Sequence, residues 1–293
     1  MAPAVAEDVT GKELDRDVRR ELSSLTPESA TAVAKHLVMV ARLLEDDPEL
    51  AHQHALVARR RAARIGVVRE AVGLAAYRCG QYAEALAELR TARRMSGSEQ
   101  HLPIMADCER GLGRPEKALA LAAGPEIRTL DLAGRAEMLI VAAGARIDLG
   151  QPEAAVALLA VPELGRTKPA PWLARLRWAY AEALTAAGRA QESALWRIRA
   201  AEADVDGAAG LAEQLDSADE VFIDLADEAE AEARTDVDGQ SLPPGQSFPP
   251  DQSFPPDQLL STGQSLSTGQ ALLVQNVPPT ELAGEPPSGA DLE

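Results

Sequence analysis

From residue 12 onward, apolar and small residues return at intervals of three and four, the period of one face of an α-helix. Leu14, Val18, Leu22 and Leu25 are spaced by four, four and three and predict a helix over Lys12–Leu25. Thr26-Pro27-Glu28 reads as the start of the next helix: a hydroxyl to cap free N–H groups, a proline in the first turn, and an acid beside the positive end of the dipole. Helical patterning then continues to about Ala203 and is organised by a recurring phrase. It reads Gly80-Gln81-Tyr82-Ala83-Glu84-Ala85-Leu86, and returns from Gly113, Gly150 and Gly188, with a weaker copy from Asp46. The spacings of 34, 33, 37 and 38 residues are those of stacked helical pairs.

Three further offsets keep the same register. Seven residues before each turn residue stand Met39, Gly73, Ala106, Ala143 and Ala181. Five after it stand Ala51, Ala85, Ala118, Ala155 and Ser193. Twelve after it stand Ala58, Ala92, Pro125, Pro162 and Ala200. Small residues at fixed places are what close helix packing requires. The turn glycine supplies the positive φ that ends a helix. Pro48, Pro115 and Pro152 open the next one, where a missing N–H costs nothing. The surplus over 34 residues falls near Gly124–Leu132 and Val161–Pro171, which predicts longer connections at proline-bearing bends.

The pattern resembles the tetratricopeptide repeat family over residues 27–205, although the family's bulky aromatic positions are mostly Ala, Leu or Val here. His36-Leu37-Val38-Met39-Val40, Asp47-Pro48-Glu49-Leu50-Ala51 and Val67-Val68-Arg69-Glu70-Ala71 are similar to uncharacterised members from high-GC actinobacteria. The resemblance implies an all-α, right-handed superhelical solenoid of about five helix pairs over residues 12–226. Lys12–Leu25 caps one end. Gly207–Leu225 caps the other, with Val221-Phe222-Ile223 docked on the last repeat. It also implies a groove lined by the first helices. By register that lining includes His36, Glu70, Tyr77, Asp107, Arg110, Ile140, Asp148, Arg175, Trp178 and Glu182, and a partner polypeptide would lie against it. Some chaperone-binding members hold a peptide C-terminus with Lys and Asn, and the matching places here carry other residues.

Charge divides the chain. The net charge is −17, yet residues 1–200 carry 28 basic against 26 acidic residues, while residues 201–293 carry Arg234 alone against 20 acids. Residues 1–11 are expected to be loose. Residues 227–293 open on an acidic run, continue in proline-, glycine- and glutamine-rich hexads such as Ser-Phe-Pro-Pro-Asp-Gln258, and are expected to be disordered. There is no leader pattern at the N-terminus and no apolar run near the length of a membrane span, so the expected compartment is the cytoplasm. Cys79 and Cys108 form neither a disulfide framework nor a metal motif and are expected to be reduced thiols.

Candidate chemistry is sparse. His52 and His54 are two residues apart, so they point to different sides of a helix, whereas helical metal ligands need a spacing of four. Gly111-Leu112-Gly113 lacks the Lys and hydroxyl of a phosphate loop and reads as a repeat turn. No nucleophile, cofactor or metal signature is present, so no enzyme, cofactor or small-molecule substrate is expected. Arg59, Arg60, Arg61 and Arg64 share a repeat phase with Arg93 and Arg94, a basic ridge that offers RNA or an acidic partner a second mode of binding. The expected function is a non-enzymatic adaptor for a protein partner. An RNA- or ribosome-associated role stands as the alternative, and an enzyme with an unrecognised site as a remote one.

Overall fold

The structure is a computed structural model that describes residues 2–205, 207, 209 and 211. Among these residues there are eleven α-helices, two 3-10 helices and no strand. The chain divides after Cys79 into two compact units.

The first unit holds α1 (Arg16–Leu22), α2 (Pro27–Leu43), α3 (Pro48–Ala62) and α4 (Gly66–Arg78). Each helix start has its own donor solution. Asp15, Thr26 and Asp47 accept from backbone N–H groups of α1, α2 and α3, with Pro27 and Pro48 in the first turns. Helix α4 has no capping side chain of its own, and the Glu21 carboxylate reaches over from α1 to accept from Val67 N at 3.2 Å. The N-terminal helix, shorter at both ends than the expected Lys12–Leu25, is thus tied to α4 by a hydrogen bond and buries Val18 and Leu22, while Leu14 is buried just ahead of it. Leu37, Val40, Ala51, Ala55, Val68 and Val72 complete a single aliphatic core. The stretch ahead of α1, expected to be loose, packs Val9 into that core at 0% exposure, and the Arg42 guanidinium donates to Asp8 at 2.6 Å. Val5, four residues earlier, packs against the same core.

The second unit holds α5 (Tyr82–Ser96), α6 (Leu102–Gly111), α7 (Pro115–Ala122), α8 (Leu132–Asp148), α9 (Pro152–Leu159), α10 (Pro171–Ala186) and α11 (Ala190–Ala203). The turns α6–α7, α8–α9 and α10–α11 are built alike. Gly113, Gly150 and Gly188 have φ of +69°, +69° and +75°. The residue after each glycine donates to the carbonyl five residues earlier: Arg114 to Glu109, Gln151 to Arg146, Arg189 to Leu184. That pairing satisfies the last carbonyls of the outgoing helix. Ala85, Ala118, Ala155 and Ser193 are all buried five residues on.

Twelve residues after the turn the register departs from expectation. Ala92 and Ala200 are buried, but Pro125 and Pro162 are exposed. Both prolines follow a second helix of only eight residues and open the 3-10 helices Pro125–Thr129 and Pro162–Gly165. A proline cannot continue the ladder of the preceding helix, so the chain turns there and the surplus residues form the connection. The expected terminal elements beyond Leu211, the docking of Val221–Ile223 and the tail 227–293 lie outside the described residues. No helix among the described residues is long and apolar enough to cross a membrane.

Candidate functional site

In the second unit the helices that precede the turn glycines pack in succession, α6 on α8 and α8 on α10, and ion pairs cross from each to the next. Arg110 of α6 grips Asp148 of α8 with two N–H groups, Nε to Oδ2 at 2.8 Å and Nη2 to Oδ1 at 3.2 Å, and donates a third to Asp107 at 2.9 Å. Burial works against the charge of Arg110, but Asp148 and Asp107 outweigh it and hold its pKa above the usual value. From α8, Glu137 accepts from Arg175 of α10 at 2.6 Å. From α10, Glu182 accepts from Arg197 of α11 at 2.8 Å, and that guanidinium lies 5.2 Å from the ring centre of Trp178.

Arg110, Asp107 and Asp148 border an open cavity of about 580 Å³ whose other walls are Tyr82, Gly111, Gly113, Pro115 and Glu116. Two glycines make the space. A Cβ on Gly111 would stand 2.4 Å from the Tyr82 ring, and one on Gly144 would stand 2.5 Å from the Arg110 guanidinium carbon. The ring and the guanidinium are therefore laid directly on helix backbone. The cavity's formal charge is −2: three carboxylates, Asp107, Glu116 and Asp148, against one arginine. Tyr82 and Glu116 were absent from the expected lining. The signal for Tyr82 was Gly111, the first glycine of Gly111-Leu112-Gly113, which a repeat turn alone does not require.

Other expected lining residues sit differently. Ile140 packs against the core cluster of Ala143, Leu159 and Leu184. In the first unit, Glu70 and Tyr77 are half-buried. His36 is 8% exposed, and its Nδ1 lies 2.8 Å from Nδ1 of His54, itself 0% exposed. Only one of those two nitrogens can carry the shared proton. A charged His54 would also bury an Nε2–H that has no acceptor. Burial and the neighbouring His36 push the His54 pKa down to about 4, and burial with Arg61 and Arg60 lowers that of His36. Neither ring offers a face to a ligand, and among the described residues no group of three His, Cys, Asp or Glu side chains could hold a metal. Cys108 is buried, which pushes its thiol pKa up to about 12, with Asp107 and Glu109 adding to the shift. Cys79 is half-buried, and its Sγ donates to the Pro48 carbonyl at 3.2 Å.

The basic ridge is unevenly exposed. Arg93 is held by Glu99 at 2.5 Å and by Glu126 at 3.4 Å, and these partners raise its pKa. Arg94 donates to the Thr91 hydroxyl. Arg60, Arg61 and Arg64 are exposed and Arg59 is half-buried.

A second group of arginines, not anticipated from the sequence, lies at the far end of the second unit. Arg166, Arg177 and Arg199 border a cavity of about 550 Å³ together with Trp196 and Glu202. No protein-family model, curated protein or solved structure matches the chain.

Proposed function

We propose that the chain is a non-enzymatic, cytoplasmic adaptor of the tetratricopeptide-like kind, whose first helices line a binding groove for a partner polypeptide. One observation carries this reading: the open cavity where Tyr82, Asp107, Glu116 and Asp148 converge around a single arginine. An aromatic face beside surplus carboxylate suits a basic side chain of an extended peptide, stacked on Tyr82 and paired with Glu116 or Asp148. The right-handed superhelical course expected from the repeat would extend the groove along the remaining first helices.

The test is selection of peptides from a random display library by the full-length chain, repeated with Tyr82→Ala and with Asp148→Lys. Enrichment of sequences bearing Arg or Lys, lost in both variants, is the expected outcome. Enrichment that ignores both substitutions would place recognition elsewhere. Nuclease-sensitive recovery of RNA, abolished by changing Arg59, Arg60, Arg93 and Arg94 to Glu, would favour the ridge instead.

A further inference from the structure

The arginine cavity between the 3-10 helix Pro162–Gly165, α10 and α11 differs from the ion-paired arginines of the second unit. Arg93, Arg110, Arg175, Arg189 and Arg197 each have a carboxylate within 3 Å. Among the described residues no carboxylate stands within ion-pair distance of Arg166, Arg177 or Arg199. Arg177 is spent on the backbone: Nε and Nη2 donate to the Leu164 carbonyl, Nη2 also to Arg166 O at 2.7 Å, and Nη1 to Arg199 O at 2.9 Å. It therefore fixes the main chain at both other arginines while keeping its charge at the base of the cavity. Burial and the adjacent Arg199 lower its pKa from the usual value, and the opposing pull of Glu202 does not offset them. The two outer arginines rest on indole faces, Arg166 at 5.8 Å from the centre of Trp172 and Arg199 at 4.6 Å from that of Trp196. A cation–π contact of this kind does not consume the N–H donors. Three arginines against Glu202 leave the cavity at a formal +2.

The last described residue, Leu211, lies next to this cavity. It is buried against Leu173, Ala174, Ala200 and Ala203, and Ala203 is also part of the cavity wall. From there to Arg234 the sequence carries nine acidic residues and no basic one. We propose that the Arg166–Arg177–Arg199 cavity is an oxyanion site that takes carboxylates of the chain's own acidic stretch, residues 213–232. The stretch begins two residues past Leu211, so its local concentration at the cavity is that of a short tether, in the millimolar range. The site is distinct from the Tyr82–Asp148 groove and does not depend on that groove's role.

The experiment uses the full-length chain and a full-length variant in which the nine acids between residues 213 and 232 are replaced by their amides. The indole N–H signals of Trp172 and Trp196 are recorded at low ionic strength, and inorganic phosphate serves as the probe anion. Both indoles are expected to differ between the two chains. The difference should vanish when Arg166→Gln and Arg199→Gln are present, substitutions that leave the Arg177 brace untouched. Phosphate should half-saturate the amide variant at a concentration about tenfold lower than the native chain, because the tethered carboxylates no longer compete. Indoles that coincide in the two chains overturn the proposal, as does a difference that survives loss of both arginines. Equal half-saturation by phosphate would mean that the cavity takes an external oxyanion and would overturn the assignment to the chain's own stretch.

Discussion

In the first unit the buried polar side chains are His36, His52 and His54; in the second they are Glu88, Glu109 and Ser193. Both units are all-helical among the described residues, so the contrast is not one of secondary structure. In the first, the charges nearest the histidine pair are Arg60 and Arg61, of the sign that opposes protonation, and the rings persist by staying neutral. In the second, Glu109 is 1% exposed and sits between two cations, Arg90 at 2.7 Å and Arg114 at 3.5 Å. Backbone packing fixes where the small residues go, and leaves each unit free to resolve its buried polarity by neutrality or by pairing. The two solutions respond to different insults: the first to acid, the second to loss of a partner.

The largest expected effect follows from pairing. Removing both cations, Arg90→Ala with Arg114→Ala, leaves a buried carboxylate without a counter-charge and should destabilise the second unit by about 3–5 kcal/mol. Adding Glu109→Gln should restore most of the loss, since a neutral amide needs no cation. The measurement is the denaturation midpoint of the double and triple variants. A triple variant no more stable than the double would mean that the arginines act through their aliphatic stems rather than their charge.

Acid separates the units. A histidine in the unfolded chain titrates near its ordinary value of 6.5, while His54 in the fold titrates at about 4. Between these values the unfolded chain takes up a proton that the folded one refuses. The stability is therefore complete above pH 6.5 and falls as pH is lowered toward 4, by up to about 3 kcal/mol for this one ring. Amide exchange should accelerate in α2 and α3 across that window. Helices α8 and α10 contain no histidine and provide the reference. His54→Leu should flatten the dependence, and an unchanged slope in that variant would assign it to other groups.

How much of this was legible in the sequence depends on what sets each feature. The positive φ of Gly113, Gly150 and Gly188, the burial of Ala85, Ala118 and Ala155, and the bends near Pro125 and Pro162 are dictated by backbone geometry, which acts within a few residues and leaves a periodic trace. That Asp107, Arg110 and Asp148 share a face follows from the same register. The histidine pair left no such trace: the spacing test compared His52 with His54 on one helix, whereas the partner of His54 comes from α2, eighteen residues back. The arginine cavity was hidden for a related reason. Its members stand just after a 3-10 helix and on two α-helices, and what sets them apart from Arg93 or Arg110 is that no acid among the described residues is ion-paired with them, a property of space rather than of sequence.

The smallest effect tests how the cavity beside Tyr82 is held. Gly144 lies in α8 beneath the Arg110 guanidinium, and a methyl group there would come within 2.6 Å of Nη1. The guanidinium is the tip of a flexible chain and can swing away, but doing so breaks its two bonds to Asp148. Those half-exposed pairs contribute no more than about 1 kcal/mol. Replacing a glycine inside a helix by alanine favours the helix by about 1 kcal/mol. The two effects oppose each other, so Gly144→Ala should leave the melting temperature almost unchanged while the Arg110 Nε–H, now without its acceptor, exchanges faster with solvent. A fall in stability of about 2 kcal/mol or more, the size of an overpacking penalty, would mean that Arg110 cannot leave its place. The glycine would then serve the close approach of α6 to α8, and the cavity beside Tyr82 would be fixed by packing rather than by the ion pair.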